Sequence, residues 1–348
     1  APRGARGREL ALAAALAGLV LFAAYRFDVG TPRARADAAV LDDASDACLR
    51  SDVGRRAARA LAGTTMPAPA LFDGVVALCA QNASGRSTSY LLGRISQDGF
   101  PLFFPVALAV KTPLPLLALA VAGVGLLLRR ARAPRPPGPW TLYAIPWLAA
   151  AFVAAAMSSR INIGVRHVLP VYPLMAILAA LALGALGRAT GRAPAAAALA
   201  AWLFVIPILA SPDYLPWFNA LAGRHPEDVL LDSDLDWGQD LLRLEKALAE
   251  RHVERVSVAY WGVSDLCRHL PGGRWLRPHE RATGWIAISE TYRKGVAGFS
   301  YRDGDFCDPA QFVGSAPPDP TAYAWLDAYE PVARVGASIL LYDVPEGR

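Results

Sequence analysis

Residues 102–128 read LFFPVALAVKTPLPLLALAVAGVGLLL, an apolar run of 27 residues with a single charge, Lys111. About 20 mostly apolar residues cross a bilayer as a helix, so the run is too long for one straight span. Lys111, Pro113 and Pro115 break it. The reading is an interfacial helix over Leu102–Val110 followed by a span over Pro113–Leu128. Working outward, four more apolar stretches appear: Leu10–Tyr25, Trp140–Met157, Val168–Leu186 and Ala195–Leu209. Several are Ala-rich and near the short end of the spanning range. The competing reading is a set of buried helices in a large soluble bundle. Charges concentrated between the runs favour the membrane. The fold class expected is a polytopic α-helical membrane protein with about five spans and a C-terminal α/β domain outside the bilayer.

Composition agrees. The chain has 348 residues, of which 54% are hydrophobic and 19% charged, against roughly a quarter charged in soluble domains. That argues against disorder and against a purely soluble enzyme. The net charge of +5 conceals a split. Residues 1–211 carry 21 basic and 9 acidic side chains, whereas residues 212–348 carry 14 and 21. The expected divisions are 1–25 (basic segment and first span), 26–101 (exported loop), 102–211 (four further spans) and 212–348 (exported α/β domain).

Sidedness follows from the bias of Lys and Arg toward cytoplasmic loops. Arg3, Arg6 and Arg8 precede the first span. Arg129, Arg130, Arg132 and Arg135 follow the second, and Arg188 and Arg192 separate the last two. Five crossings put all three clusters on one side. The 26–101 loop, the loop 158–167 and the 212–348 domain then share the other side. Leu10–Tyr25 also has the basic-then-apolar build of a signal peptide, whose removal would leave the later topology unchanged. The basic excess is thus assigned to topology, and no nucleic-acid partner is expected.

The four cysteines fall by twos into exported segments: Cys48 and Cys79, then Cys267 and Cys307. This suits disulfides Cys48–Cys79 and Cys267–Cys307 in an oxidising compartment; four free structural thiols are the alternative. In the C-terminal domain, strands are expected at Val229–Asp232, Val253–Trp261 and Trp285–Ser289. A helix capped by Asp234 or Asp236 should run to about Arg251, and Val332–Val335 with Ser338–Val344 should form a hairpin. The β-α-β order suggests a small Rossmann-like layer, without a nucleotide-binding glycine fingerprint.

Two polar constellations stand out. The first is Asp232-Ser-Asp-Leu-Asp-Trp-Gly-Gln-Asp240. A calcium loop wants Gly at its sixth position and Glu at its twelfth; here those are Trp237 and Arg243. An Asp-x-Asp clamp for a divalent metal is a second reading, and a strand-to-helix turn with acidic caps is a third. A plain turn would not require Trp237 and Gln239, which suit stacking on and hydrogen bonding to a sugar. The second is Arg160-Ile-Asn-Ile-Gly-Val-Arg-His-Val-Leu-Pro-Val-Tyr-Pro173. Arg160, Arg166 and His167 lie between two spans on the exported side, against the charge bias. Arginine forks match phosphate oxygens; snorkelling to the interface is the plainer alternative. Lys111 lies near the same face and is one of three Lys in the chain.

Together with Tyr90-Leu-Leu-Gly and Phe104-Pro-Val-Ala-Leu-Ala-Val-Lys-Thr-Pro-Leu-Pro115, these motifs resemble bacterial polytopic glycosyltransferases of the GT-C fold. These use polyprenyl-phosphate sugars and are relatives of protein O-mannosyltransferases and aminoarabinose transferases. The resemblance covers about residues 85–290. Asp234 departs from it, since Asn is expected there. The resemblance implies sugar transfer from a polyprenyl phosphate to a protein, glycan or lipid acceptor outside the bacterial plasma membrane. Basic residues stabilise the leaving phosphate in that family. It implies a lipid-phosphate set of Lys111, Arg160, Arg166 and His167. Sugar or acceptor candidates are Tyr90, Asp234, Asp236, Trp237 and Gln239. No particular cofactor is implied, and a divalent metal is compatible with the motifs. Such enzymes usually have more than eight spans, and the matched motifs belong to their C-terminal half. The chain is therefore expected to be a fragment without the catalytic acid, a role for which Asp28 is a poor candidate. A membrane-anchored glycan-binding or assembly protein without catalysis is the alternative.

Overall fold

The computed structural model describes residues 3–32, 52–83, 88–132, 141–189, 191–262, 264–296, 298–301, 306–307 and 312–346. The chain divides into two compact units, Ala1–Ser87 and Thr88–Arg348.

The first unit holds α1 (Arg3–Ala24), β1 (Val29–Gly30), α2 (Asp52–Ala62), β2 (Met66–Pro67) and α3 (Pro69–Ala83). α1 contains an apolar window from Gly7 to Ala24 that is long enough to span a membrane. The β1–β2 pair is antiparallel. α2 and α3 pack through Ala58, Ala62 and Val76. The loop expected over 26–101 thus carries two helices, α2 and α3. Cys79 on α3 is disulfide-bonded. Cys48 lies outside the described residues.

The second unit begins with the hairpin β3 (Ser89–Leu91) and β4 (Arg94–Ser96). Then come α4 (Phe103–Lys111), α5 (Leu114–Ala131), α6 (Thr141–Met157), α7 (Val171–Arg188) and α8 (Ala193–Ala210). The break within residues 102–128 falls where the prolines put it. Thr112 is extended at the end of α4, Pro113 precedes α5, and Pro115 sits in its first turn, where a missing N–H costs nothing. α1, α5, α7 and α8 are long and apolar enough to cross a membrane. α6 is apolar but only 17 residues long. Among the described residues, four helices therefore meet the spanning criterion where five spans were expected, and the Trp140–Met157 run forms a shorter apolar helix over Thr141–Met157. α5 and α7 approach closely because Gly123 faces the backbone of Leu178; a Cβ there would overlap the Leu178 carbonyl oxygen. Small residues at such crossings let helix backbones meet in a lipid solvent.

The remainder is an α/β layer. Its sheet runs β10 (Ala333–Val335), β11 (Ile339–Val344), β7 (Gly284–Ser289), β5 (Val256–Ala259), β6 (Gly273–Trp275). β5 is parallel to β6 and β7, whereas β11 is antiparallel to β7 and β10. The expected hairpin is present, whereas the expected β-α-β unit lacks its first strand: the helix at Leu241–Glu250 leads into β5 with no strand immediately before it, and the sheet is mixed. Helix α9 (Leu241–Glu250) presents Leu241, Leu244 and Leu248 to one face with Val258, Ala287 and Leu341. Ile286, Ile288, Tyr292, Tyr323 and Leu326 cover the other. The short helices α10 (Leu266–His269) and α11 (Glu290–Arg293) follow β5 and β7, and β8 (Gly298–Tyr301) pairs with β9 (Phe312–Ala316). Cys267 and Cys307 form a disulfide.

The expected strand at Val229–Asp232 is absent. Two 3-10 turns, Pro226–Asp228 and Asp232–Asp234, flank the stretch. Leu230 packs with the helical core and Leu231 with Tyr90, Leu235 and Val296. Consecutive residues are shared between two cores, and no described strand pairs with the stretch.

Candidate functional site

The acidic turn is held from three directions. From below, Lys111 at the end of α4 points its ammonium into the turn. Its Nζ donates to the backbone oxygens of Asp234 and Leu215, each at 2.6 Å, and lies 4.0 Å from the centre of the Phe218 ring. Burial pushes this lysine down to about 8, against the pull of Asp234. Asn219 fixes the same corner: its side-chain amide donates to the oxygens of Ala109 and Thr112 at 2.6 Å, satisfying carbonyls at the end of α4.

From the side comes the α6–α7 connection. Gly164 has φ +125, and a Cβ there would press on Asp234 and Ser233. This open position lets the Val165 N–H reach Asp234 Oδ1 at 2.9 Å. One residue on, Arg166 is exposed and places its guanidinium 5.6 Å from the centre of the Trp237 ring. Such a geometry is an ordinary cation–π contact.

From above, the sheet domain supplies Trp261, which stacks on Trp237 at 6.1 Å between centroids and 24° between planes. Trp237 is 51% exposed even so. The Tyr260 hydroxyl donates to the Gly238 oxygen at 2.8 Å.

The acids are unlike one another. Asp234 is 1% exposed, and its Oδ2 has no hydrogen-bond partner. Burial raises its pKa, opposed by Lys111 first. Asp232 stands at φ +53; burial, then Asp234, push it up to about 7, with Arg166 pulling the other way. Asp236 accepts from the Gly238 N–H at 2.9 Å and is also raised to about 7 by burial. Asp240 precedes α9 but makes no cap hydrogen bond. It accepts instead from Arg243 and from Ala337 and Ser338 in the β10–β11 turn. The expected cap by Asp234 or Asp236 gives way to these tertiary bonds. Gln239 is also occupied locally, bridging the Trp237 N–H and the Leu235 oxygen.

Lys111, Arg166, Asp234 and Trp237 are thus brought together from three separate segments of the sequence. Arg160 pairs with Asp98 at 3.6 Å. His167 lies beside Phe104, and partial burial, then Arg166, lower its pKa. Tyr90 is buried behind the acidic turn, its hydroxyl 3.5 Å from Lys294 Nζ. Trp261 and Phe218 carry no motif, and only the fold delivers them to the corner.

Among the described residues, no group of three or more His, Cys, Asp or Glu is arranged to hold a metal ion. Asp234 Oδ1 and Asp236 Oδ1 are turned to different backbone N–H groups. The arrangement offers an exposed guanidinium for an anion, an indole face for a ring or sugar, and a carboxyl that exchanges its proton near neutrality. Compared with known proteins, the chain matches no family model, no curated protein and no solved structure.

Proposed function

We propose that the chain holds the phosphate end of a lipid-linked sugar and serves transfer of that sugar to an acceptor on the exported side of a bacterial plasma membrane. The observation that carries this reading is the meeting of Arg166, Lys111 and Trp237 at one corner, beside the ends of α4 and α7. An amphipathic donor has three parts: a chain for the bilayer, a phosphate for Arg166 and a sugar for the Trp237 face. In the transfer, the bond between the anomeric carbon and the phosphate oxygen breaks as the acceptor oxygen bonds to that carbon. The acceptor's proton leaves to a base, and the electron pair stays on the lipid phosphate. Arg166 offsets the charge that develops there, and fixed donors of this kind lower barriers most where charge appears. Lys111 orders the acidic turn that carries Trp237.

The test is a transfer assay on the full protein with radiolabelled polyprenyl-phosphate sugars. Arg166→Ala is expected to lower turnover by about 100-fold or more, with Arg166→Lys recovering part of it. Unchanged turnover in Arg166→Ala would sink the phosphate role. The exposed, stacked Trp237 also favours a second reading, a membrane-anchored glycan-binding protein. That reading predicts glycan retention lost in Trp237→Ala, with no turnover of any lipid-linked sugar.

A further inference from the structure

We propose that a cleft at the end of α8 binds the head group of a zwitterionic phospholipid, with its ammonium against Asp213. The cleft measures about 690 Å³, within the range of small-molecule sites. One wall is the last turn of α8, Leu209 and Ala210, together with Trp217 and Phe218. The floor is Asp213 and Arg243.

The apolar wall continues a lipid-like surface. α8 is apolar enough to cross a bilayer, and Leu209 near its end is 78% exposed. A cleft that begins at the end of a span and carries a tryptophan lies at head-group depth, where such rings concentrate. Its occupant has to be amphipathic, with chains beside α8 and a polar head on the floor.

Charge selects the head. Arg243 Nη1 lies 2.8 Å from Asp213 Oδ1, and Nη2 lies 3.0 Å from Asp213 Oδ2. Nη1 also lies 2.6 Å from Asp240 Oδ1. One guanidinium thus faces two carboxylates, and the floor keeps one negative charge. Asp240 is fully buried and engaged by Ala337 and Ser338. Asp213 is the half-exposed partner, so an incoming ammonium meets Asp213. The phosphate of the same head group is then placed within reach of the guanidinium. An anionic head group without an ammonium would add like charge to a negative floor. The cleft is distinct from the sugar-phosphate corner but shares a wall with it, because Phe218 also lies under Lys111.

Calorimetric titration of the full protein in detergent tests this, using short-chain phosphatidylethanolamine, phosphatidylcholine and phosphatidylglycerol, and glycerophosphoethanolamine. The zwitterionic lipids are expected to bind about tenfold tighter than phosphatidylglycerol. Glycerophosphoethanolamine, which lacks the chains, is expected to bind at least about tenfold more weakly than its lipid. Asp213→Asn should weaken the zwitterionic lipids about fivefold or more, and Ser211→Trp should fill the cleft and abolish binding. Melting temperatures report whether each variant is folded. Equal or tighter binding of phosphatidylglycerol overturns the proposal, with no variant needed. So does glycerophosphoethanolamine binding as well as the lipid, which would assign a soluble phosphoester. Folded variants with wild-type affinity overturn it too. The readout is binding and not sugar transfer, so this inference and the donor-site reading fail separately.

Discussion

Asp232 sits in the left-handed backbone region, in reach of Arg166 and beside a second buried acid. Its folded-state pKa of about 7 lies above the ordinary 3.8, so the native state pays to keep it ionised. The cost is full above pH 7 and shrinks as pH falls through the folded value toward the unfolded one. Asn tolerates the same backbone and carries no charge. Asp232→Asn is therefore expected to stabilise the fold at pH 8 by on the order of 2 kcal/mol. The gain should fade between about pH 7 and pH 4. Thermal unfolding at both pH values checks it; a gain that is independent of pH would mean that the charge is not its origin. At this scale the sequence was partly legible. Arg166, Lys111 and Trp237 were visible because each breaks a local expectation: an arginine in a short connection between two apolar runs, a rare lysine, an indole in an acidic turn. Gln239 looked equally promising and is used up inside the turn, because a side chain's partners depend on a conformation that spacing does not reveal.

Among elements, the helices were the most legible, since long apolar runs and prolines decide where a helix begins and stops. Breaking at Lys111–Pro113 separates α4 from α5 as expected. The stretch Val229–Asp232 was misread because a short apolar run reads the same in a strand and in an irregular chain threaded between two cores. The α5–α7 crossing was also not legible, because Gly123 and Gly125 look alike in sequence. Only Gly123 meets a neighbouring backbone, and Gly125 faces open space. Gly123→Ala is expected to force the two helices apart at a cost of about 1–3 kcal/mol. Gly125→Ala should leave stability within about 0.5 kcal/mol. Unfolding of the two variants in the same detergent compares them directly; equal losses would refute the close crossing.

For the molecule as a whole, the charge division near residue 211 falls inside the second compact unit, Thr88–Arg348, and separates its apolar helices from its α/β layer. Acid-rich residues 212–348 build the α/β layer, and the basic clusters flank apolar helices. The disulfide Cys267–Cys307 spans 40 residues and ties α10 to the segment carrying Phe306, whose ring lies 4.9 Å from that of Trp275. Loop-closure arguments put such a bond at about 3–4 kcal/mol. Replacing both cysteines by Ser should lower the melting temperature of the α/β layer, read by near-ultraviolet circular dichroism, and should remove its sensitivity to reductant. An unchanged melting temperature would refute a stabilising role. The Cys267–Cys307 pairing was legible because both thiols fall within residues 212–348; the mixed order of the sheet was not, because strand direction is set by connections.

The acidic turn belongs to the α/β layer in sequence, yet its inward contacts come from the apolar helices: Lys111 from α4 and the Val165 N–H from the α6–α7 connection. The layer is therefore not an interchangeable module. A chimera joining this layer to another protein's helices would keep the sheet and lose the corner. Any change in the α6–α7 connection has to be matched in the turn at 232–240, so the two segments are bound to vary together.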